Sequence, residues 1–249
     1  MTVQTFGGMA KNFSVFLSLA LLASSASAGE SPEILHLEMQ KQVPVLKAEL
    51  DGKPVRLLLD TGGGAALALR HDLISDATQV RQLALQSGKA VQLKAVPWKK
   101  ASISEGIDGY LGMGWLRQYS LVIDYAHAQL RLHPAGSLAP ECGTQTVPLQ
   151  MLGSLPYVRL TQDAQAVALG LDTGANQNIL KTGSRWSGDA GQVLTGLTLQ
   201  TEGWTGQQNF RLVNVHVPVI DGFLGYEFFA GHLVCMDIQS AKLAIKAGQ

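Results

Sequence analysis

The chain is poor in charge and cysteine, and only one stretch of it is long and apolar. Asp, Glu, Lys and Arg make up 15% of its 249 residues, with 19 acids against 19 bases. That balance, with no basic stripe, gives no reason to expect a nucleic-acid partner or an anionic membrane surface. The apolar stretch, Phe13 to Ala23, is 11 residues long, well short of the roughly 20 a membrane span requires. No heptad seam appears. The 6 His residues show no His-Glu-x-x-His or related spacing, so no metal centre is expected. There is no Gly-x-Ser-x-Gly nucleophile elbow. Gly109-x-x-Gly112-x-Gly114 departs from the dinucleotide fingerprint and opens no βαβ unit. Any chemistry the chain performs is expected to need no cofactor.

Residues 1–28 read as a secretory signal. Lys11 supplies the basic start, Phe13–Ala23 the apolar core, and Ala26-Ser27-Ala28 a small-residue cleavage site. No Cys follows that core, so a lipid anchor is not expected there. The mature chain is expected to begin near Gly29, in the bacterial periplasm or outside the cell. An oxidising compartment permits a bridge between the 2 cysteines, Cys142 and Cys235. A free thiol at 142 and a buried one at 235 is the alternative.

What the chain does have is a long internal repeat. Leu57-Leu58-Leu59-Asp60-Thr61-Gly62 returns as Leu169-Gly170-Leu171-Asp172-Thr173-Gly174, an offset of 112 residues. With one residue inserted, Ile107-Asp108-Gly109-Tyr110-Leu111-Gly112 falls on Ile220-Asp221-Gly222-Phe223-Leu224-Gly225. Leu83-Ala84-Leu85-Gln86 matches Leu197-Thr198-Leu199-Gln200 between them. A unit this long is a half-molecule rather than a stacking motif. The expected organisation is a signal at 1–28, an N-terminal lobe at 29–133, a Pro/Gly/Ser-containing linker at 134–146 and a C-terminal lobe at 147–249.

Each copy reads as β. Val45–Leu50, a turn at Asp51-Gly52-Lys53 and Val55–Leu59 form a hairpin, repeated as Tyr157–Leu160, a turn near Gln162-Asp163, and Val167–Leu171. Each Asp-Thr-Gly therefore sits where a strand leaves a hairpin. One short helix per copy is expected at Trp115–Tyr119 and Glu227–Phe229. Trp98, Trp115, Phe228 and Phe229 are expected in the core. Asp108 and Asp221 precede glycine in turns and read as structural, while Asp124 and Asp237 end strands and are expected to be solvated.

Two carboxylates held together cannot both ionise cheaply, so the pair keeps one proton and titrates as a unit. One Asp can then take a proton from water while the other gives a proton to a carbonyl oxygen. Asp60 and Asp172 are the candidates for this work. Thr61 and Thr173, each a donor and an acceptor, can brace the two loops against each other.

At these residues the chain resembles the pepsin/retropepsin superfamily of aspartic proteases, and in particular small bacterial retropepsin-like proteins. The resemblance covers nearly all of the mature chain. It implies an all-β fold of two pseudo-symmetric barrel lobes with a cleft between them, built within one chain so that a monomer suffices. It also implies catalytic roles for Asp60 and Asp172. Thr61 and Thr173 would make a cross-lobe grip, with Gly62, Gly174, Gly112 and Gly225 supporting the loops. The implied partner is a peptide or protein substrate in extended form.

Two features depart from the family pattern. The intervals from Gly62 to Leu83 and from Gly174 to Leu197 are only 22 and 24 residues, which leaves both covering flaps cut down. The tip near Gly203-Trp204-Thr205-Gly206 is the remaining flap-like segment, and its place in the repeat assigns it to a surface loop. The hydroxyl residue that usually follows each glycine is replaced by Gly63 and Ala175. Losing a donor to the ionised carboxylate raises its pKa, so any activity is expected at weakly acidic to neutral pH. The leading expectation is an endopeptidase cutting between apolar residues. The alternative is a peptide-binding or scaffold protein that retains the fold.

Overall fold

The computed structural model describes residues 1–2, 31–74, 79–98, 105–183 and 185–248. Residues 3–28 of the expected signal lie outside that set. Among the described residues, no helix is long and apolar enough to cross a membrane.

Nine strands build the first copy: β1 (Glu33–Gln40), β2 (Val43–Leu50), β3 (Lys53–Asp60), β4 (Leu67–Leu69), β5 (Val80–Ala84), β6 (Ala90–Pro97), β7 (Gly109–Gly112), β8 (Tyr119–Asp124) and β9 (Gln129–Pro134). Nine more repeat the plan: β10 (Val147–Leu152), β11 (Leu155–Gln162), β12 (Gln165–Leu171), β13 (Ile179–Lys181), β14 (Val193–Thr201), β15 (Trp204–Val213), β16 (Gly222–Leu224), β17 (His232–Asp237) and β18 (Lys242–Ala247). The only α-helices among the described residues are short, α1 (Met113–Leu116) and α2 (Tyr226–Gly231).

In the first lobe the pairing closes on itself in the order β2-β3-β7-β4-β6-β5-β2. The second lobe closes the same circuit as β11-β12-β16-β13-β15-β14-β11. Closure removes exposed strand edges. It also explains the unbroken apolar runs before each Asp-Thr-Gly, because β3 and β12 lie between two strands and are covered on both faces. Leu46, Leu57, Leu59, Leu67 and Leu111 fill the first barrel. Their repeat equivalents Val158, Leu169, Leu171, Leu180 and Leu224 fill the second, all 0–1% exposed. Burying each such side chain contributes about 2 kcal/mol.

A six-stranded antiparallel sheet, β1-β9-β8-β17-β18-β10, joins the lobes from below. Val122 pairs directly with Cys235, its own equivalent 113 residues on, so the pseudo-two-fold axis passes through that pair. The linker crosses the outer face of this sheet, where Cys142 is bonded to Cys235. Ala139, Val122 and Ala244 bury both sulfurs.

Some local expectations shift. The helices start at Met113 and Tyr226, earlier than the sequence pattern places them, immediately after Gly112 and Gly225. Trp115, Phe228 and Phe229 are core residues, whereas Trp98 is only half-buried and meets Tyr110 edge-on at 6.0 Å. Asp124 and Asp237 are not solvated; they are 7% and 0% exposed. Asp237 accepts from the Gly136 and Ser240 amides, and Asp124 from His127 and Arg131. Turn amides and a guanidinium replace the water that an end-of-strand carboxylate would otherwise need.

Candidate active site

Strands β3 and β12 end side by side across the pseudo-two-fold axis and deliver Asp60 and Asp172 to the floor of the cleft. The bracing between their loops is reciprocal. The Thr61 hydroxyl donates to the Leu171 carbonyl at 2.7 Å and accepts from the Thr173 amide at 3.0 Å. The Thr173 hydroxyl donates to the Leu59 carbonyl at 2.7 Å and accepts from the Thr61 amide at 2.9 Å. Both threonines are 0% exposed, so these four bonds form away from competing water.

The glycines let the carboxylates approach. A Cβ on Gly62 would sit 2.7 Å from the Asp172 Cγ, and one on Gly174 would sit 2.9 Å from the Asp60 Cγ. Each glycine thus faces the opposite lobe's acid. Gly112 lies beside Asp60 in the β3–β7 register. The Asp172 amide donates to the Leu224 carbonyl, just before Gly225. A Cβ on Gly112 or Gly225 would strike the carbonyl oxygen of Gly63 or Gln177, at 2.5 and 2.4 Å. All eight positions that the repeat picks out, Asp60, Thr61, Gly62, Gly112 and their four equivalents, therefore meet in one place.

Asp60 Oδ1 accepts from the Gly63 amide at 2.8 Å, and Asp172 Oδ1 from the Gly174 amide at 2.9 Å. The two carboxyls are close enough that each shifts the titration of the other. Burial pushes the Asp172 carboxyl up from 3.8 to about 7, helped by the negative charge of Asp60 beside it. Asp60 is also raised, again by burial, but the Gly63 and Gly62 amides and then Asp172 pull it back. Both carboxyls are raised, so the pair holds on to a proton above the ordinary carboxylate range and titrates as a unit. Burial is the leading cause of the upward shift in both carboxyls.

Two tyrosines belong to this site although the repeat pattern does not single them out. Tyr125, buried beneath the dyad, lies 3.3 Å from the Thr173 carbonyl through its hydroxyl. Burial and then the two nearby carboxylates push its phenol well above the usual range, so it stays a neutral donor. Tyr110 stands at the cleft wall, its ring edge over Gly63 and close to Asp60. The signal for Tyr125 was a break in symmetry, since its equivalent is Ile238. Tyr110 is inside the repeated motif, where its fold role masked its position.

The other duplicated acids hold strands instead of a second dyad. Asp108 accepts from the Arg56 amide and Asp221 from the Ala168 amide, each at 2.9 Å. Among the described residues no hairpin lies between β4 and β5 or between β13 and β14. The β5–β6 turn points to the base sheet, where Gln86 accepts from His36 and Lys89 reaches Tyr119. The β14–β15 tip turns toward the linker, with Gly203 beside Gln145 and Trp204 packed on Phe228 and His232. Neither hairpin covers the dyad.

No family model and no curated protein sequence matches the chain. Solved structures do resemble it. An aspartic proteinase from Irpex lacteus aligns with a TM-score of 0.62 at 11% identity, covering 88% of this chain and 98% of that one. Basic 7S globulin from soybean aligns with a TM-score of 0.57 at 10% identity, covering 87% and 95%. At such identities the likeness establishes a pepsin-like fold and nothing about activity.

Proposed function

We propose that the protein is an aspartic-type endopeptidase of the periplasm or the extracellular space, acting on extended peptide segments without metal or covalent intermediate. The observation that carries this reading is the pair of carboxyls brought together across the lobe axis, each facing the opposite lobe's glycine and held by the threonine brace. In the proposed reaction Asp60 takes a proton from a water whose oxygen attacks the scissile carbonyl carbon. Asp172 gives its proton to the carbonyl oxygen, leaving a neutral tetrahedral diol. Asp60 then protonates the departing nitrogen, the C–N bond breaks, and one diol hydroxyl returns its proton to Asp172. The dyad ends in its starting state. The Cys142–Cys235 bond supports an oxidising compartment.

The absence of a covering hairpin among the described residues favours a second reading, a peptide-binding protein, because such covers exclude water and commit the substrate. Incubation with a peptide library from pH 3 to 8, beside Asp60→Asn and Asp172→Asn variants, separates the two. Cleavage lost in both variants supports the enzyme. Saturable peptide binding with no dyad-dependent cleavage supports the binder.

A further inference from the structure

The two lobes differ at one pair of positions around the cleft aromatic. Leu58 and Tyr110 are register neighbours in the first lobe, as Gly170 and Phe223 are in the second. The residue after each Asp-Thr-Gly is Gly63 in the first lobe and Ala175 in the second. The glycine that distinguishes each lobe therefore lies on opposite sides of the aromatic ring: Gly63 toward the dyad for Tyr110, Gly170 toward the strand for Phe223.

The rings follow the space. A Cβ on Gly63 would meet the Tyr110 ring at 2.6 Å and Asp60 Oδ2 at 2.9 Å, and one on Gly112 would also reach that ring, at 2.9 Å. Tyr110 thus leans over Gly63 onto the Asp60 side of the cleft, with Trp98 packed behind it. Phe223 leans the other way. A Cβ on Gly170 would meet its ring at 2.7 Å and the Leu155 side chain at 3.4 Å, whereas Gly225 has the Gln177 and Ala175 backbone as its nearest neighbours. Phe223 lies back on Gly170 within a cluster of half-buried Leu152, Leu155 and Val217.

We infer that the cleft selects side chains by size in opposite senses on its two sides: a small residue beside Asp60, where the Tyr110 ring fills the wall, and a large apolar residue beside Asp172, against Phe223, Leu155 and Val217. The preferred scissile bond joins one bulky apolar residue to one small one. This rests on the peptidase reading of the dyad for its account of cleavage, but the selection itself is a property of the cleft walls.

The test measures binding, so that it does not depend on turnover. Peptides carrying a non-cleavable hydroxyethylene unit in place of the scissile bond, flanked by large–small, small–large or large–large side chains, are titrated by calorimetry into wild type, Tyr110→Ala and Tyr110→Phe. In wild type one of the two mixed orders binds about tenfold or more tighter than large–large. That ratio falls to about one in Tyr110→Ala, by a gain in large–large binding, and is kept in Tyr110→Phe, which retains the ring. Equal affinities in wild type, a ratio untouched by Tyr110→Ala, or no binding of any of the peptides overturns the inference. If the size preference is seen while the corresponding amide peptides are not cleaved in an Asp60-dependent way, the peptidase reading fails and the cleft asymmetry stands. Dyad-dependent cleavage with no size preference has the reverse meaning.

Discussion

Replacing Asp172 by Asn should stabilise the protein at pH 8 by clearly more than at pH 4.5. Folding raises the Asp172 carboxyl from 3.8 to about 7, so between those values the native state holds a proton that the unfolded chain has released. Native stability then falls as pH rises through that window, and above pH 7 the whole penalty is present. At about 1.4 kcal/mol per pKa unit the shift corresponds to a ceiling of about 4 kcal/mol. Asp172 keeps some contact with solvent and shares the pair's second ionisation with Asp60, so about 2 kcal/mol is the expected gain on substitution. For a chain of this size that is roughly 4–8 °C in Tm. Asn keeps the shape of the side chain and is neutral at every pH, as Asp172 is below its native pKa. Thermal unfolding of both proteins at pH 4.5 and 8 reads the difference directly. An Asn variant less stable than wild type at pH 8, or an equal Tm difference at both pH values, refutes the raised Asp172 carboxyl.

Other consequences can be measured separately. Activity should follow a bell with its maximum at weakly acidic to neutral pH, falling on the alkaline side as Asp172 loses its proton and on the acid side as Asp60 gains one; a pH–rate profile peaking near pH 2 contradicts the raised pair. Thr61→Val removes a hydroxyl that serves two buried backbone groups, the Leu171 carbonyl and the Thr173 amide, and should cost about 3 kcal/mol in urea unfolding. Gly174→Ala places a methyl 2.9 Å from the Asp60 carboxyl carbon and should lower kcat/KM by about a hundredfold or more while circular dichroism stays native. Reducing the bond between Cys142 and Cys235, 93 residues apart, releases a long loop in the unfolded state and should cost up to about 4–5 kcal/mol, seen as a lower urea midpoint.

Which parts of this site were legible in the sequence follows from what the repeat preserves. The two β-barrel lobes and the meeting of Asp60 with Asp172 depend on features present in both copies, such as apolar β3 and β12, the hairpin turns and the glycines under each loop. A pattern duplicated at a fixed offset can be read from letters alone. The fates of Asp124 and Asp237 were not legible, because the amides that accept their burial come from turn backbone and, for Asp237, from the linker at Gly136. Linker residues have no counterpart in the repeat. The same holds for Cys142, whose partner lies on the symmetry axis only because β17 pairs with β8.

The differences between copies carry what the similarities cannot. A symmetric two-Asp site would have no reason to prefer one direction of substrate. Here Asp172 is in the lobe whose aromatic ring lies away from the dyad, and Asp60 is flanked by the Tyr110 ring. Leu58 opposite Gly170 and Gly63 opposite Ala175 look like noise in an alignment of the halves. In the folded cleft each substitution moves a ring, and together they make two unequal walls from one duplicated plan. Exchanging the pair, with Gly170→Leu and Gly63→Ala made singly and together, should therefore be additive in isostere binding, since Gly63 acts on the Tyr110 ring and Gly170 on the Phe223 ring with no neighbour in common; strong non-additivity would mean that the two walls are not set independently of each other.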